Sequence, residues 1–170
     1  QQNIKVFVAN AGSDTANDCL SIATACQHIR QAMSIVYNNA DHAGAAPTVL
    51  LKGGDAFPEC ITLQGQLTGY NVGFITSTSG TGPSGGPIWG NVTLGTTDCP
   101  NASGALLLVA DNAEWEVQNI KWQNASGTSG IYQLFDHQTG IIDVIDGNSF
   151  GPAPGAYNIG SDHGASINIS

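Results

Sequence analysis

Positive charge is what this sequence has least of. Lys5, Arg30, Lys52 and Lys121 are its only basic residues among 170, against 13 Asp and Glu, for a formal net charge of −9. Nucleic-acid binding is driven largely by neutralising phosphates with Lys and Arg, and four scattered cations cannot form that footprint. Nucleic acid and anionic membrane surfaces are thereby excluded as partners, and so are strongly anionic polysaccharides unless a cation bridges them. Charge of either sign is scarce, at 10% of residues where a soluble domain typically carries roughly 25%. Solubility therefore rests on Asn, Gln, Ser, Thr and Gly. Long apolar runs are missing too: none approaches the roughly 20 residues that span a bilayer as a helix. No signal peptide is visible. No phosphate-binding glycine loop is present, because "SGTGPSGG" (79–86) lacks the Lys-Ser/Thr ending. The four cysteines lack the Cys-x-x-Cys clusters of a zinc site, and the four histidines (His28, His42, His137, His163) are too dispersed for an obvious one. No metal and no cofactor is expected.

What is present is glycine, 22 positions of it, which signals many turns or close backbone approaches. Such a composition fits an extracellular β protein or a virion protein. Cys19, Cys26, Cys60 and Cys99 read as two disulfides in an oxidising compartment or on a particle surface. Three connectivities are open. The local choice pairs Cys19 with Cys26 and leaves Cys60 with Cys99. The chain begins at Gln1, and its last residues, "HGASINIS", alternate like a strand in progress. Both ends suggest a piece of a longer protein.

Along the chain, "IKVFVA" (4–9) reads as a strand. From Thr24, "TACQHIRQAMSIVYNN" places Cys26, Ile29, Met33 and Val36 at helical spacing, with Ser21 or Thr24 as N-cap and Asn38 and Asn39 at its end. No other stretch is persuasive as a helix. Short apolar runs follow: 48–51, 60–63, 71–76, 91–94, 105–110, 114–122, 131–135, 140–145, 157–160 and 165–169. Strands of this length at intervals of roughly ten indicate an all-β chain. A sandwich would use tight Asn-Gly or Asp-Gly hairpins, and only Asp146-Gly147 is present. Instead "AEWEVQNIKWQNASG", "TGIIDVIDGNSFGPAPG" and "HGASINIS" repeat a short strand and a polar corner at a period of about 25, the signature of a parallel solenoid. Val117, Val144 and Ile167 are the expected equivalents.

The opening carries a resemblance. A strand, then "GSDTANDCLSIATACQHIRQAM", is similar to the first segment of right-handed parallel β-helix proteins of the pectate-lyase-like superfamily. That segment reads as a Gly-x-Asp-x-x-Asn-Asp loop, a small-residue run and a helix of the Ile-Gln-x-Ala type. Gly12, Asp14, Asn17, Asp18, Ser21, Ala23, Thr24, Ile29, Gln31 and Ala32 follow it. "APTVLLKGGDAFPECITLQGQLTGYNVGFITSTSG" looks like the first coils of β-helical proteins of tailed phages and related particles, with Lys52-Gly53-Gly54-Asp55-Ala56-Phe57 where those carry a "D-G-x-Y" element. The resemblance implies an all-β, right-handed parallel β-helix with an N-terminal capping α-helix. Residues 1–45 would be the first strand and cap, and 46–170 the first coils.

Function does not follow from that fold. A lyase of this kind needs a basic residue at the groove, and the only arginine, Arg30, sits in the expected cap. A glycoside hydrolase needs two carboxylates roughly 5 to 10 Å apart. Its candidates are Asp136, Asp143, Asp146 and Asp162. Asp143 and Asp146 should face opposite sides of a strand, so a pair would have to form between coils, as Asp136 with Asp162. Carboxylates capping turns account for these residues as well. Aromatic faces suit sugars, making Trp115, Trp122, Tyr132 and Tyr157 candidate glycan contacts, with Trp115 and Trp122 expected outside because Glu114, Glu116 and Lys121 flank them. Sequons occur at Asn91, Asn101, Asn124 and Asn168. The expected role is a non-enzymatic structural or receptor-binding spike or fibre subunit on a virion surface or in the extracellular space. It would contact cell-surface polysaccharide and other virion or assembly proteins as a homo-oligomer, a trimer. An extracellular polysaccharide hydrolase or lyase, and a secreted bacterial adhesin, are the alternatives.

Overall fold

The computed structural model describes residues 4–38, 46–64, 72–77, 90–93, 106–110, 113–123, 132–137, 139–144, 149–150 and 157–170. They form strands β1 (Lys5–Val8), β2 (Thr48–Leu51), β3 (Ala56–Phe57), β4 (Ile61–Gln64), β5 (Val72–Ser77), β6 (Gly90–Thr93) and β7 (Leu107–Ala110), then β8 (Glu114–Gln118), β9 (Ile120–Gln123), β10 (Tyr132–His137), β11 (Ile141–Val144), β12 (Ser149–Phe150), β13 (Tyr157–Ser161) and β14 (Ser166–Ile169). A single α-helix among the described residues, α1 (Ile29–Asn38), follows β1. The described residues are therefore mostly strand with little helix, and strands lie at the expected apolar runs, except that the run expected at 114–122 is two strands, β8 and β9, parted at Asn119. The two-residue strands β3 and β12 carry no readable periodicity and were not expected.

The strands make three short sheets in which every pairing is parallel. One sheet runs β1-β2-β5-β8-β11-β14, a second β13-β10-β7-β4 and a third β12-β9-β6-β3. From β2 onward each strand pairs with the one three places along. Alternation decides which side chains go inside: Val6 and Val8, Val49 and Leu51, Trp115 and Val117, Ile142 and Val144 are buried, and their neighbours face outward. The register stacks Val6, Val49, Ile75, Val117, Val144 and Ile169 as successive Cα partners. Val144 thus pairs with Ile169, while Ile167 pairs with Ile142, a slip of two from the expected equivalence that leaves the same face inward. In the last strand Ile169 occupies the apolar column yet is 70% exposed, because no described strand lies beyond it.

The corners need unusual backbone. Asn119, with φ of 56°, is the single residue between β8 and β9. Asn tolerates this left-handed conformation better than most side chains. It also resets the alternation, so that Val117 and Ile120 both point inward. The β13–β14 corner uses His163 and Gly164 in the same region, φ 47° and 83°.

The N-terminal segment covers the edge of the first sheet. Phe7 N–H donates to Cys19 O (2.8 Å), Cys26 N–H to Phe7 O (2.8 Å) and Ala9 N–H to Cys26 O (2.9 Å), so residues 19–26 occupy the free side of β1. An uncovered edge is a template for aggregation. The loop is built by the residues of its motif. Gly12 lies so close to Ala25 and Cys26 that a Cβ would overlap their backbone atoms. Asn17 Nδ2 donates to Ala25 O (2.7 Å). Asp18 accepts from Leu20 N–H (3.0 Å) and from the Thr24 hydroxyl (2.5 Å). The Cys19–Cys26 disulfide, with Cα atoms 4.9 Å apart, closes it. Cys60 is also disulfide-bonded, while Cys99, its expected partner, lies outside the described residues.

The helix begins later than expected. Ser21 does act as an N-cap, accepting from Thr24 N–H, but of a one-turn 3-10 segment, Ile22–Thr24. Cys26 bridges to Val8 instead of entering the helix. The N-terminus of α1 is satisfied from elsewhere: Glu59, beyond β3, accepts from Ile29 N–H (2.8 Å) and Arg30 N–H (3.2 Å) through its two oxygens. Ile29, Ala32, Met33 and Val36 then bury against β1 and β2 in the same apolar cluster as the strands.

Candidate functional site

The outward face of the first sheet gathers the side chains best suited to meeting a ligand. Its central row runs through the Cα partners Lys5, Thr48, Phe74, Glu116, Asp143 and Asn168. Flanking rows bring Glu114 beside Ile141 and Ser166, and Phe7 beside Leu50. Parallel strands stand about 4.8 Å apart, so Glu116, Asp143 and Asn168 follow one another at that spacing, while Phe74 separates Glu116 from Thr48 in the row of Cα partners. Asn168 Nδ2 donates to Asp143 Oδ1 at 2.6 Å, linking β14 to β11. Burial pushes the Glu116 carboxyl above its ordinary range, and the nearby charges of Asp143 and Glu114 push it further.

Two of the four expected glycan contacts are corrected. Trp115 and Trp122 are both fully buried, at 0% exposure. Their charged neighbours are the reason: in a strand, Glu114 and Glu116 outward put Trp115 inward, and Lys121 outward does the same for Trp122. Trp115 packs near Tyr37 of α1, ring centroids 6.5 Å apart. Tyr132 and Tyr157 are Cα partners on β10 and β13.

Among the hydrolase candidates, Asp143 faces outward beside Glu116. Asp136 is the register partner of Ser161, one residue before Asp162. The Asp162 carboxylate lies 3.0 Å from His163 Nδ1. Asp146 lies outside the described residues. Glu116 is not among the sequence-based candidates, although the strict alternation of "EWEVQ" marks it as outward. Of the sequons, Asn168 is exposed on β14 and Asn91 lies on β6, while Asn101 and Asn124 lie outside the described residues.

A second cluster sits at the base of α1. Asp14 accepts from Gln27 N–H (2.8 Å), His28 N–H (3.1 Å) and His28 Nδ1 (2.5 Å). Burial raises its carboxyl, but these hydrogen bonds and the His28 charge outweigh that and hold it below the ordinary carboxylate value. Asp14 thereby ties the motif loop to the start of the helix. Next to it a cleft of about 290 Å³ is lined by Asn10, Gln27, His28, Phe57 and Glu59. A cleft of about 510 Å³, lined by Phe7, Leu50, Ile22, Ala23, Asn17 and Lys52, opens beside the disulfide loop. Lys52 there pairs with Asp55 at 3.8 Å.

Among the described residues no group of three or more His, Cys, Asp or Glu side chains converges as a metal site, and no helix is long and apolar enough to cross a membrane. No protein-family profile, curated protein sequence or solved structure matches the chain.

Proposed function

We propose that the chain forms the first coils of a right-handed parallel β-helix, closed at its N-terminal end by α1. Its role is that of a structural or receptor-binding spike or fibre subunit of a phage or phage-like particle, touching host cell-surface glycan without cutting it. One observation carries the reading: parallel pairing of every third strand puts Glu116, Asp143 and Asn168 on three successive strands in one outward row, with Thr48 in the same row beyond Phe74. Hydrogen-bonding groups repeated at rung spacing suit weak, multivalent contact with a polymer that is itself repetitive. The overall charge of −9 favours neutral or cationic polysaccharide over acidic. Oligomerisation as a trimer and a place at the virion surface or in the extracellular space belong to the same reading.

A hydrolase is the second reading, and it draws on Glu116 and Asp143 standing on adjacent rungs, a placement that brings two carboxylates within reach of one glycosidic bond. One experiment separates the two. The purified chain is applied to an array of neutral and acidic bacterial surface polysaccharides, and reducing ends and unsaturated uronate are followed in solution. Retention on neutral glycans that falls when Asn168 and Thr48 are changed to Ala, with no new reducing ends, is the expected result. Turnover abolished by Asp143→Asn or Glu116→Gln would replace the binding reading with the hydrolase. Absence of retention on every polysaccharide would overturn both.

A further inference from the structure

We propose that Glu116 and Asp143 form a like-charge seam between two successive rungs of the first sheet, whose repulsion is relieved as the surroundings become acidic, tightening the stack. The geometry comes from register and alternation. Glu116 lies between buried Trp115 and Val117, and Asp143 between buried Ile142 and Val144, so both carboxyls project from the same outward face. They are Cα partners on directly paired parallel strands, close enough for the charge of Asp143 to oppose ionisation of Glu116.

Among the described residues, no register partner of the pair on the adjoining strands is basic. On its own strand Glu116 has Glu114 two residues away on the same face. On β5 the register partners Val72, Phe74 and Thr76 carry no charge. On β11 the neighbour of Asp143 on this face is Ile141, and on β14 the partners are Ser166 and Asn168. The one basic residue of the row, Lys5, is separated from Glu116 by β2 and β5. Asn168 Nδ2 donates to Asp143 Oδ1, which holds Asp143 in place as an acceptor on the strand next to Glu116.

The upward displacement of the Glu116 carboxyl, caused first by burial and then by Asp143 and Glu114, sets the sign. A carboxyl that holds its proton more tightly folded than unfolded makes the folded state gain stability as pH falls through the raised value. The gain is complete below the ordinary glutamate value of 4.5 and is lost as pH rises. Asp14 and Asp18 are shifted the other way, so their contributions change in more acidic solution and with opposite sign.

The test is urea unfolding of the 170-residue chain between pH 7 and the ordinary glutamate value of 4.5. The wild-type midpoint is expected to climb on acidification. Glu116→Gln, which carries the neutral form at every pH, should start with a higher midpoint at pH 7 and stay flat across the window. Asp143→Asn should flatten the profile as well. An unchanged climb in Glu116→Gln, or a lower midpoint at pH 7, overturns the proposal. Carboxyl carbon resonances of the wild-type chain give a readout that needs no folded Glu116 variant. A Glu116 signal titrating above the ordinary glutamate range, and moving down when Asp143 is replaced, supports the seam. A Glu116 signal titrating in the ordinary range overturns it.

Discussion

Replacing Gly12 with Ala should destabilise the chain, against the usual direction of that substitution. Where the backbone is compatible, Gly→Ala stabilises by roughly 0.4–1 kcal/mol through the unfolded state. Here a Cβ would overlap the carbonyl oxygens of Ala25 and Cys26 and the carbonyl carbon of Cys26. None of these atoms is free to withdraw. Cys26 O accepts from Ala9 N–H at 2.9 Å, and Ala25 O accepts from Ser13 N–H at 3.0 Å and from Asn17 Nδ2 at 2.7 Å. The Cys19–Cys26 disulfide and the Cys26–Phe7 hydrogen bond hold the same strand of loop from the other side. Pushing the loop away sacrifices two or three hydrogen bonds worth about 0.5–1.5 kcal/mol each. Set against the unfolded-state gain, the centre of these ranges is a net loss of about 2 kcal/mol, a large share of a total stability that is typically about 5–15 kcal/mol. Urea unfolding followed by the fluorescence of buried Trp115 and Trp122 would report it. A Gly12→Ala chain as stable as wild type would refute the claim that this glycine is required by close approach.

Two further outcomes follow from the same structure. Trp122→Ala, at a position with 0% exposure, should cost about 3–5 kcal/mol. A loss below about 1 kcal/mol in the same urea assay would mean that the side chain is not packed inside. Asp14→Asn should lower stability at neutral pH and flatten the acid limb of unfolding. The ionised Asp14 contributes stability that is fully present above its ordinary value of 3.8 and is lost as pH falls through its depressed folded value. Thermal melts of both chains from pH 7 to pH 2 would test this, and a parallel shift with no change in slope would contradict it.

Local pattern determined much of this protein. Alternation in "KVFV", "EWEVQ" and "IIDV" puts Val6 with Val8, Trp115 with Val117 and Ile142 with Val144 on one face of each strand, because a strand's period of two is set by the backbone itself. The same alternation, applied to Trp115 and Trp122, also predicts their burial. Charged neighbours mislead when they are read as marking a region of surface, since in a strand they mark the opposite face. The loop motif was legible for a related reason: Gly12, Asp14, Asn17 and Asp18 each act on backbone within 14 residues or fewer.

Other features were decided only when the chain was assembled. The start of α1 depends on Glu59, 30 residues beyond Ile29, so no local N-cap could announce it. Register is likewise a property of pairs. Val144 opposite Ile169, and Glu116 opposite Asp143, come from hydrogen bonding between strands far apart in sequence. A one-residue slip would change face, but a slip of two leaves the apolar pattern of each strand unaltered. Sequence therefore determined which face of each strand is apolar. Only tertiary pairing decided which side chains share a row, because side-chain direction is a local consequence of backbone geometry and neighbourhood across a parallel sheet is not.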